Sequence, residues 1–243
     1  MNEGLIIIPA CNEEASIKNV IRDIKKLNVP VDILVINDGS RDNTLEIVMK
    51  EDIKVISHLH NLGYGAALQT GYIYAASKKY KYIIQFDGDG QHDPNDIVTA
   101  ISLIEKEDAF IVTGSRFMIK KAYKQSALKV FAMKILRAII KVATKTTITD
   151  PTSGFKALSR QTYTYFSKSG NFPPDYPDVD IIIKMLILKY KIVEFPITVK
   201  KREYGESMHS GLKPVVYLFK VTLSIIIVLL RERIMKEGDV IHE

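Results

Sequence analysis

Apolar residues along this chain follow two rhythms. Short runs have the length of buried strands: Leu5 to Ile8, Asp32 to Ile36, Lys54 to Ser57, Tyr82 to Phe86 and Phe110 to Gly114. Between them the spacing is helical. Ile17, Val20, Ile21, Ile24 and Leu27 share one face, and Leu45, Ile47 and Val48 mark a second helix. A third runs to about Ser77 and a fourth covers Asn95 to Lys106. Pro9 closes the first strand, and Asn12 predicts an N-cap, with Glu13 and Glu14 suiting the first turn. Strands alternating with helices predict an α/β fold with a mostly parallel sheet flanked by helices.

Each predicted strand ends in polar or glycine-rich chemistry. The ends carry Asn12-Glu13, Asp38, the Asn61/Gly63/Gly65 set, Asp87/Asp89 and Arg116. In an open α/β sheet the carboxyl ends of the strands are where ligands bind. Five such ends on one edge describe a cleft suited to a nucleotide, with a metal at its phosphate end. Phe86-Asp87-Gly88-Asp89-Gly90-Gln91-His92 is the centre of it. Two carboxylates two residues apart suit a hard divalent cation that keeps waters and holds a diphosphate. On these residues alone a solvated acidic turn is the equal alternative. Gly63 and Gly65 lack a third glycine at dinucleotide-fingerprint spacing, and there is no P-loop.

At 243 residues the chain can bury a sizeable core. Leu5 to Ile8 is too short for the apolar region of a secretory signal, and Glu3 precedes it. A single cysteine, Cys11, excludes an internal disulfide and points to a reducing compartment. The net charge of +6 is local: residues 118–149 hold eight Lys/Arg and no Asp or Glu, leaving 26 basic against 28 acidic residues elsewhere. That points to an anionic partner at one segment.

Four motifs occur in a recognisable order: Ile8-Pro9-Ala10-Cys11-Asn12-Glu13-Glu14, Asn37-Asp38-Gly39-Ser40-x-Asp42-x-Thr44, Asn61-x-Gly63-x-Gly65-x-Ala67 and Asp87-x-Asp89-x-Gln91-His92. Together they resemble the family 2 glycosyltransferases of GT-A fold. Asp150-Pro151-Thr152-Ser153-Gly154-Phe155-Lys156 and Lys201-Arg202-Glu203-Tyr204-Gly205-Glu206-Ser207 narrow the resemblance to the dolichol-phosphate mannose synthase-like branch. Members of that branch move a sugar from a nucleotide sugar to a polyprenyl phosphate. The resemblance covers roughly residues 4–210. It implies a GT-A domain over 1–210, with a nucleotide-sugar-binding half at 1–117 and an acceptor-side half at 118–210, followed by a C-terminal helix and tail at 211–243.

Carried over by residue, the resemblance implies that Pro9, Ala10, Cys11, Glu13, Ile36, Asp38 and Gly63 meet the donor of a UDP- or GDP-sugar. Asp87, Gly88, Asp89 and Gln91 would meet the donor around Mg²⁺ or Mn²⁺, with Asp87, Asp89 and Gln91 as the metal ligands. Arg116 and Arg202 would neutralise phosphate, and Ser207 would join them on the donor; Asp89, Arg116 and Arg202 carry the catalytic role. Inversion at the anomeric carbon is likewise implied. Cys11 stands where the family often has an aromatic residue, and the two-helix membrane region of some members is not in the sequence. A phosphate acceptor is ionised near neutral pH, with a second pKa of about 6, and needs no general base. Asp178 or Asp180 could serve as a base for a hydroxyl acceptor, or simply start a helix.

Two segments read as membrane-facing. Over 118–145, Leu128, Phe131, Ile135, Ala138 and Val142 share one helical face, and Lys134, Arg137, Lys141 and Lys145 another. The alternative is a helix packed on the core. Pro214 to Leu230 is apolar but only 17 residues long, with Lys213, Tyr217, Lys220 and Ser224 as a polar stripe. A span needs about 20 residues, so this predicts a helix in the interface or one pairing with a small membrane protein; the alternative is a core helix of the enzyme itself. Arg231 and Arg233 at its end suit anionic headgroups. The expectation is therefore a peripheral enzyme at the cytoplasmic face of the membrane, with no nucleic-acid partner. Three rivals stand beside it: sugar transfer to a saccharide or glycolipid hydroxyl in cell-surface polysaccharide synthesis, a nucleotidyltransferase, and a silent membrane-binding module. The Gln-x-x-Arg-Trp motif of processive synthases has no counterpart in a chain without tryptophan.

Overall fold

The computed structural model describes residues 2–119, 127–173 and 177–200, with the side chains of 127–129 excepted. Arg202, Ser207 and the predicted helix at 214–230 lie outside the described residues.

The elements alternate as the apolar rhythm predicts. They run β1 (Gly4–Ala10), α1 (Ile17–Lys26), β2 (Val31–Asn37), α2 (Thr44–Met49), β3 (Lys54–Ser57), α3 (Tyr64–Lys78), β4 (Tyr82–Gln85), α4 (Asn95–Lys106) and β5 (Ile111–Ser115). The rest of the chain adds α5 (Ala127–Thr144), β6 (Lys156–Ser159), α6 (Arg160–Ser167), α7 (Pro177–Ile187) and β7 (Ile192–Pro196). The sheet has seven strands in the order β3-β2-β1-β4-β6-β5-β7, and β6 alone runs antiparallel.

The order reverses between β1 and β4. Three strands fan one way from β1, and the chain crosses to the other side at β4. That switch point is the expected crevice, and the Asp87–Asp89 turn leaves β4 there. Because β6 is antiparallel, its first residue, Lys156, lies at the same edge as the carboxyl ends of its neighbours.

Two local differences from the sequence reading have clear causes. Pro9 does not end β1, which continues to Ala10 against Asn37. Phe86 N donates to Ile7 O at 3.1 Å, so Ile7 and Pro9 turn their backbones toward β4; the ladder there ends at Ile7, and the missing N–H of Pro9 costs nothing. Asn12 is not the cap of α1, which starts after Ser16. It sits at φ +57°, and its side chain accepts from Arg41 N at 2.8 Å. Asn is among the residues that adopt this conformation most readily.

The core lies on both faces of the sheet. One cluster joins Ile6, Ile8, Ile17, Ile21, Ile84 and Phe155; the other joins Leu5, Ile7, Ile36, Leu68, Tyr72 and Tyr163. A third, smaller cluster packs α5 on α7 through Leu136, Ile140, Val179, Ile182 and Ile183. Helix α5 meets the protein through Met133, Leu136 and Ile140, and leaves open part of the apolar face that its spacing marks as membrane-facing. Phe131 and Val142 of that expected face are 62% and 74% exposed.

Helix α3 reaches β1 because position 71 is glycine. A Cβ there would lie 2.5 Å from Ile7 Cγ2. Gly71→Ala is expected to cost about 1–3 kcal/mol through overpacking, read as a lower midpoint in urea denaturation with an unchanged slope. An unaltered midpoint would mean that α3 does not depend on this close approach.

Candidate active site

The site is assembled from loops at the carboxyl ends of the strands. The turn after β1 is sewn to the turn after β2. Asp38 N donates to Ala10 O at 2.9 Å, Asn12 N to Ser40 Oγ at 3.0 Å, Glu13 N to Thr44 Oγ1 at 2.8 Å and Glu14 N to Asp42 Oδ2 at 3.1 Å. The loop after β3 locks onto both. Asp38, 3% exposed, accepts from Leu62 N, Gly63 N and His58 Nδ1 at 2.9, 2.9 and 2.7 Å. His58 Nε2 meets Thr70 Oγ1 of α3 at 2.9 Å. Gly39 permits the approach: its φ is +62°, and a Cβ would lie 2.4 Å from the His60 carbonyl carbon.

The Asp87–Asp89 turn is fixed from three directions. Ser16 Oγ, at the start of α1, donates to Gly88 O at 2.8 Å. Tyr64 OH, in the first turn of α3, donates to Asp87 Oδ1 at 3.0 Å, and His92 Nε2 lies 3.6 Å from Asp87 Oδ2. His92 is packed between Phe86 and Phe155 at centroid distances of 5.8 and 5.7 Å. From the loop before β6, Gly154 lies so close that a Cβ would be 2.6 Å from Asp87 Oδ2.

Electrostatics follow the same contacts. Burial pushes the Asp87 carboxyl up, but hydrogen bonding and charge from His92, the Tyr64 hydroxyl and Lys156 outweigh it and leave Asp87 below the usual carboxylate range. The Tyr64 hydroxyl is pushed well above its usual range, first by burial and then by the Asp87 and Asp178 charges. It therefore stays protonated and donates. Behind Asp87, Lys156 is 1% exposed; its ammonium donates to Ser153 O and pairs with Asp178 Oδ1 at 2.7 Å. Breaking such a buried pair costs about 3–5 kcal/mol, because one charge is stranded.

The donor set suits a hard cation. Asp89 Oδ1 accepts from Gln91 N at 3.0 Å, and Gln91 Nε2 donates to Lys200 O at 2.8 Å, which leaves the Gln91 carbonyl oxygen for another partner. Among the described residues no three His, Cys, Asp or Glu side chains gather to enclose an ion. Two carboxylates and an amide oxygen therefore suit a cation that completes its shell with water and ligand phosphate, as Mg²⁺ does.

The remaining residues singled out by sequence fall into place differently. Pro9 and Ala10 end β1. Cys11 is half-buried and accepts from Asn61 Nδ2 at 3.0 Å; burial raises its thiol pKa. Glu13 accepts from Ser16 Oγ at 3.1 Å. Ile36 is wholly buried, so it can offer the cleft only backbone. Gly63 precedes α3 and donates to Asp38. Arg116 grips Asp150 by a fork at 2.6 and 2.8 Å and also donates to Thr152 Oγ1 at 2.8 Å, so it braces the 150–154 loop. Asp178 and Asp180 both begin α7, Asp178 held by Lys156 and Asp180 4% exposed. The antiparallel pairing of His92 with Val199 brings the chain at Lys200 beside Gln91; Arg202 and Ser207 lie outside the described residues. Tyr64, His92, Gly154 and Lys156 were not read from sequence as site residues, although all four lie inside the quoted motifs.

Known proteins share this pattern. Residues 5–166 match the family model for glycosyl transferase family 2. The UDP-N-acetylglucosamine–dolichyl-phosphate N-acetylglucosaminyltransferase of Methanococcus voltae is 34% identical over 174 residues, covering 64% of this chain and 68% of that protein. The polyprenol monophosphomannose synthase of Mycolicibacterium smegmatis is 26% identical, covering 89% and 84%. Among solved structures, glucosyl-3-phosphoglycerate synthase of Mycobacterium tuberculosis, in complex with Mn²⁺, UDP-glucose and phosphoglyceric acid, superposes with a TM-score of 0.72 at 21% identity, covering 94% of this chain and 80% of that one. The fold is thereby GT-A.

Gly154→Ala tests the crowding around Asp87. It is expected to lower turnover about a hundredfold through misplacement of one carboxylate, with far-UV circular dichroism unchanged. Full turnover would mean that Asp87 tolerates displacement.

Proposed function

The chain belongs to glycosyl transferase family 2, and we propose that it transfers a sugar from a UDP- or GDP-sugar to a polyprenyl phosphate at a membrane surface, with inversion at the anomeric carbon. The reading rests on relatives named for that transfer and on one observation that bears on the acceptor. Of the two candidate bases for a hydroxyl acceptor, Asp178 is committed to a salt bridge with buried Lys156, and Asp180 is buried in the first turn of α7. A phosphate acceptor, already ionised, asks for no base.

In this reading the Pro9–Glu13 and Asp38 loops cradle the nucleoside, and Asp87, Asp89 and the Gln91 carbonyl hold Mg²⁺ or Mn²⁺. When bound, that cation neutralises charge developing on the departing nucleoside diphosphate. Tyr64 and His92 keep the Asp87 carboxylate ionised and aimed, and Lys156 supplies positive charge behind it. Arg202 and Ser207 belong to the proposed donor site. Arg116 serves first to hold the 150–154 loop, and a direct role toward phosphate is part of the proposal.

The reading includes peripheral attachment to the inner face of the cell membrane. No described helix is long and apolar enough to cross a membrane. Helix α5 instead exposes Val130, Phe131 and Val142, and Met118 and Ile119 are exposed just before it. Lys134, Lys141 and Lys145 are exposed along the same helix. Apolar residues flanked by lysine suit an anionic interface. Replacing Lys134, Lys141 and Lys145 by Glu is expected to reduce co-sedimentation with phosphatidylglycerol vesicles severalfold, since each basic residue near such a surface contributes about 1 kcal/mol. Unchanged co-sedimentation would remove α5 from the membrane surface.

The reaction is tested with radiolabelled UDP- and GDP-sugars, Mn²⁺ and undecaprenyl phosphate, counting label in the organic phase. Label from one donor is expected, abolished by EDTA and by Asp89→Ala. Nucleoside diphosphate release only with saccharide acceptors would replace this reading with hydroxyl transfer, and pyrophosphate release would replace it with nucleotidyl transfer.

A further inference from the structure

Arg137 differs from the other basic residues of α5. Sequence spacing groups it with the lysines, but its side chain turns inward. The guanidinium carbon lies 4.4 Å from the centroid of the Phe117 ring, within cation–π range. Its Nε and Nη2 are buried and have no hydrogen-bond partner. The residue as a whole is half-buried, between the exposed lysines of α5 and the interior. No carboxylate pairs with it among the described residues.

This arrangement is costly for the protein alone. A guanidinium carries five donors and cannot shed its charge. Leaving buried donors unmade forfeits their hydration, and an unpaired buried charge costs more than a neutral group. Phe117 carries a second cation nearby: the Arg116 guanidinium carbon is 6.0 Å from the same ring. Arg116 has Asp150 to neutralise it, and among the described residues Arg137 has no such carboxylate. The contact with the Phe117 ring restrains the Arg137 side chain, and a planar guanidinium fork takes a phosphate through paired hydrogen bonds.

Position adds to the argument. Phe117 lies two residues past the end of β5, at the edge of the sheet that carries the candidate site. Arg116 beside it holds Asp150 and Thr152, and two residues further along that loop Gly154 abuts Asp87. A continuous line of contacts therefore runs from Arg137 to the Asp87–Asp89 turn. On the other side, α5 presents its exposed apolar residues and lysines. A ligand with an anionic head and an apolar tail would meet both.

We propose that Arg137, stacked on Phe117, is the anion site that takes the phosphate of the acceptor lipid. This deepens the polyprenyl-phosphate reading and rests on it for the identity of the acceptor, although not for the anion site itself. Lysines of α5 serve membrane attachment; Arg137 serves the phosphate monoester.

The test is Arg137→Met, which keeps the length and the packing on Phe117 but removes fork and charge, with Arg137→Lys as the second variant. Four quantities are read: KM for undecaprenyl phosphate, KM for the donor, Tm, and vesicle co-sedimentation. The proposal expects KM for the acceptor to rise about tenfold or more in Arg137→Met, the scale of losing one charge-assisted phosphate contact. Arg137→Lys should lie between. Donor KM and co-sedimentation should not change, and Tm should be unchanged or higher, because an unsatisfied buried charge has been removed. A lowered Tm with unchanged acceptor KM would make Arg137 a structural residue and overturn the proposal. Weaker co-sedimentation with unchanged acceptor KM would assign the site to lipid headgroups and overturn it equally. Titration of the protein with a short, water-soluble prenyl phosphate separates this claim from the reaction. Binding by wild type and not by Arg137→Met supports the site even if no transfer to polyprenyl phosphate is found. Equal binding by both overturns it.

Discussion

One buried carboxylate sets where the active site forms. Asp38 has no room for solvent and is stabilised by three donors, two of them backbone N–H groups at the entry to α3. A carboxylate so bonded is stable only while all three donors stay in place. Those donors fix the first residue of α3, and that residue is Tyr64, whose hydroxyl holds Asp87. The turn after β2 thus determines the orientation of a carboxylate on the turn after β4. Preorganisation of this kind lets a site act on developing charge without rearranging first.

The same economy governs the acceptor side. Glu194 on β7 accepts from Thr149 N, Thr149 Oγ1 and Asp150 N, and Asp150 in turn grips Arg116. Lys156 and Asp178 form a second buried pair, joining β6 to α7. Each buried charge in these two networks has its counter-charge or donors. Against that background the unsatisfied guanidinium of Arg137 stands out, and the apolar residues left exposed on α5 lie on the same helix. Both features make sense on a protein that meets an amphipathic anion.

Much of the donor half was legible in the chain. Short apolar runs marked β1 to β5, and β1, β4 and β5, buried at every position, need no polar alternation. The acidic turn was legible only as a candidate: on its own residues a solvated turn was the equal alternative, and the order of the four motifs singled it out. The acceptor half was harder. Strand β6 is four residues long and includes a buried lysine, a pattern that periodicity does not register. Helix α5 has apolar residues on two sides; spacing marked the outward side, and the inward side, Leu136 and Ile140, is defined only by the partner helix α7. Tyr64, Gly154 and Lys156 gain their roles from contacts with residues 22 to 67 positions away, which no local pattern can report.

The central claim is that the carboxyl edge of the sheet is a donor site completed by a divalent cation between the Asp87–Asp89 turn and a diphosphate. The most direct measurement is isothermal titration of the protein with UDP and with GDP, each with and without Mn²⁺. The account predicts that one of the two binds, and that the heat of binding depends on the cation. Binding of neither nucleotide, or equal binding with the cation removed, would contradict it.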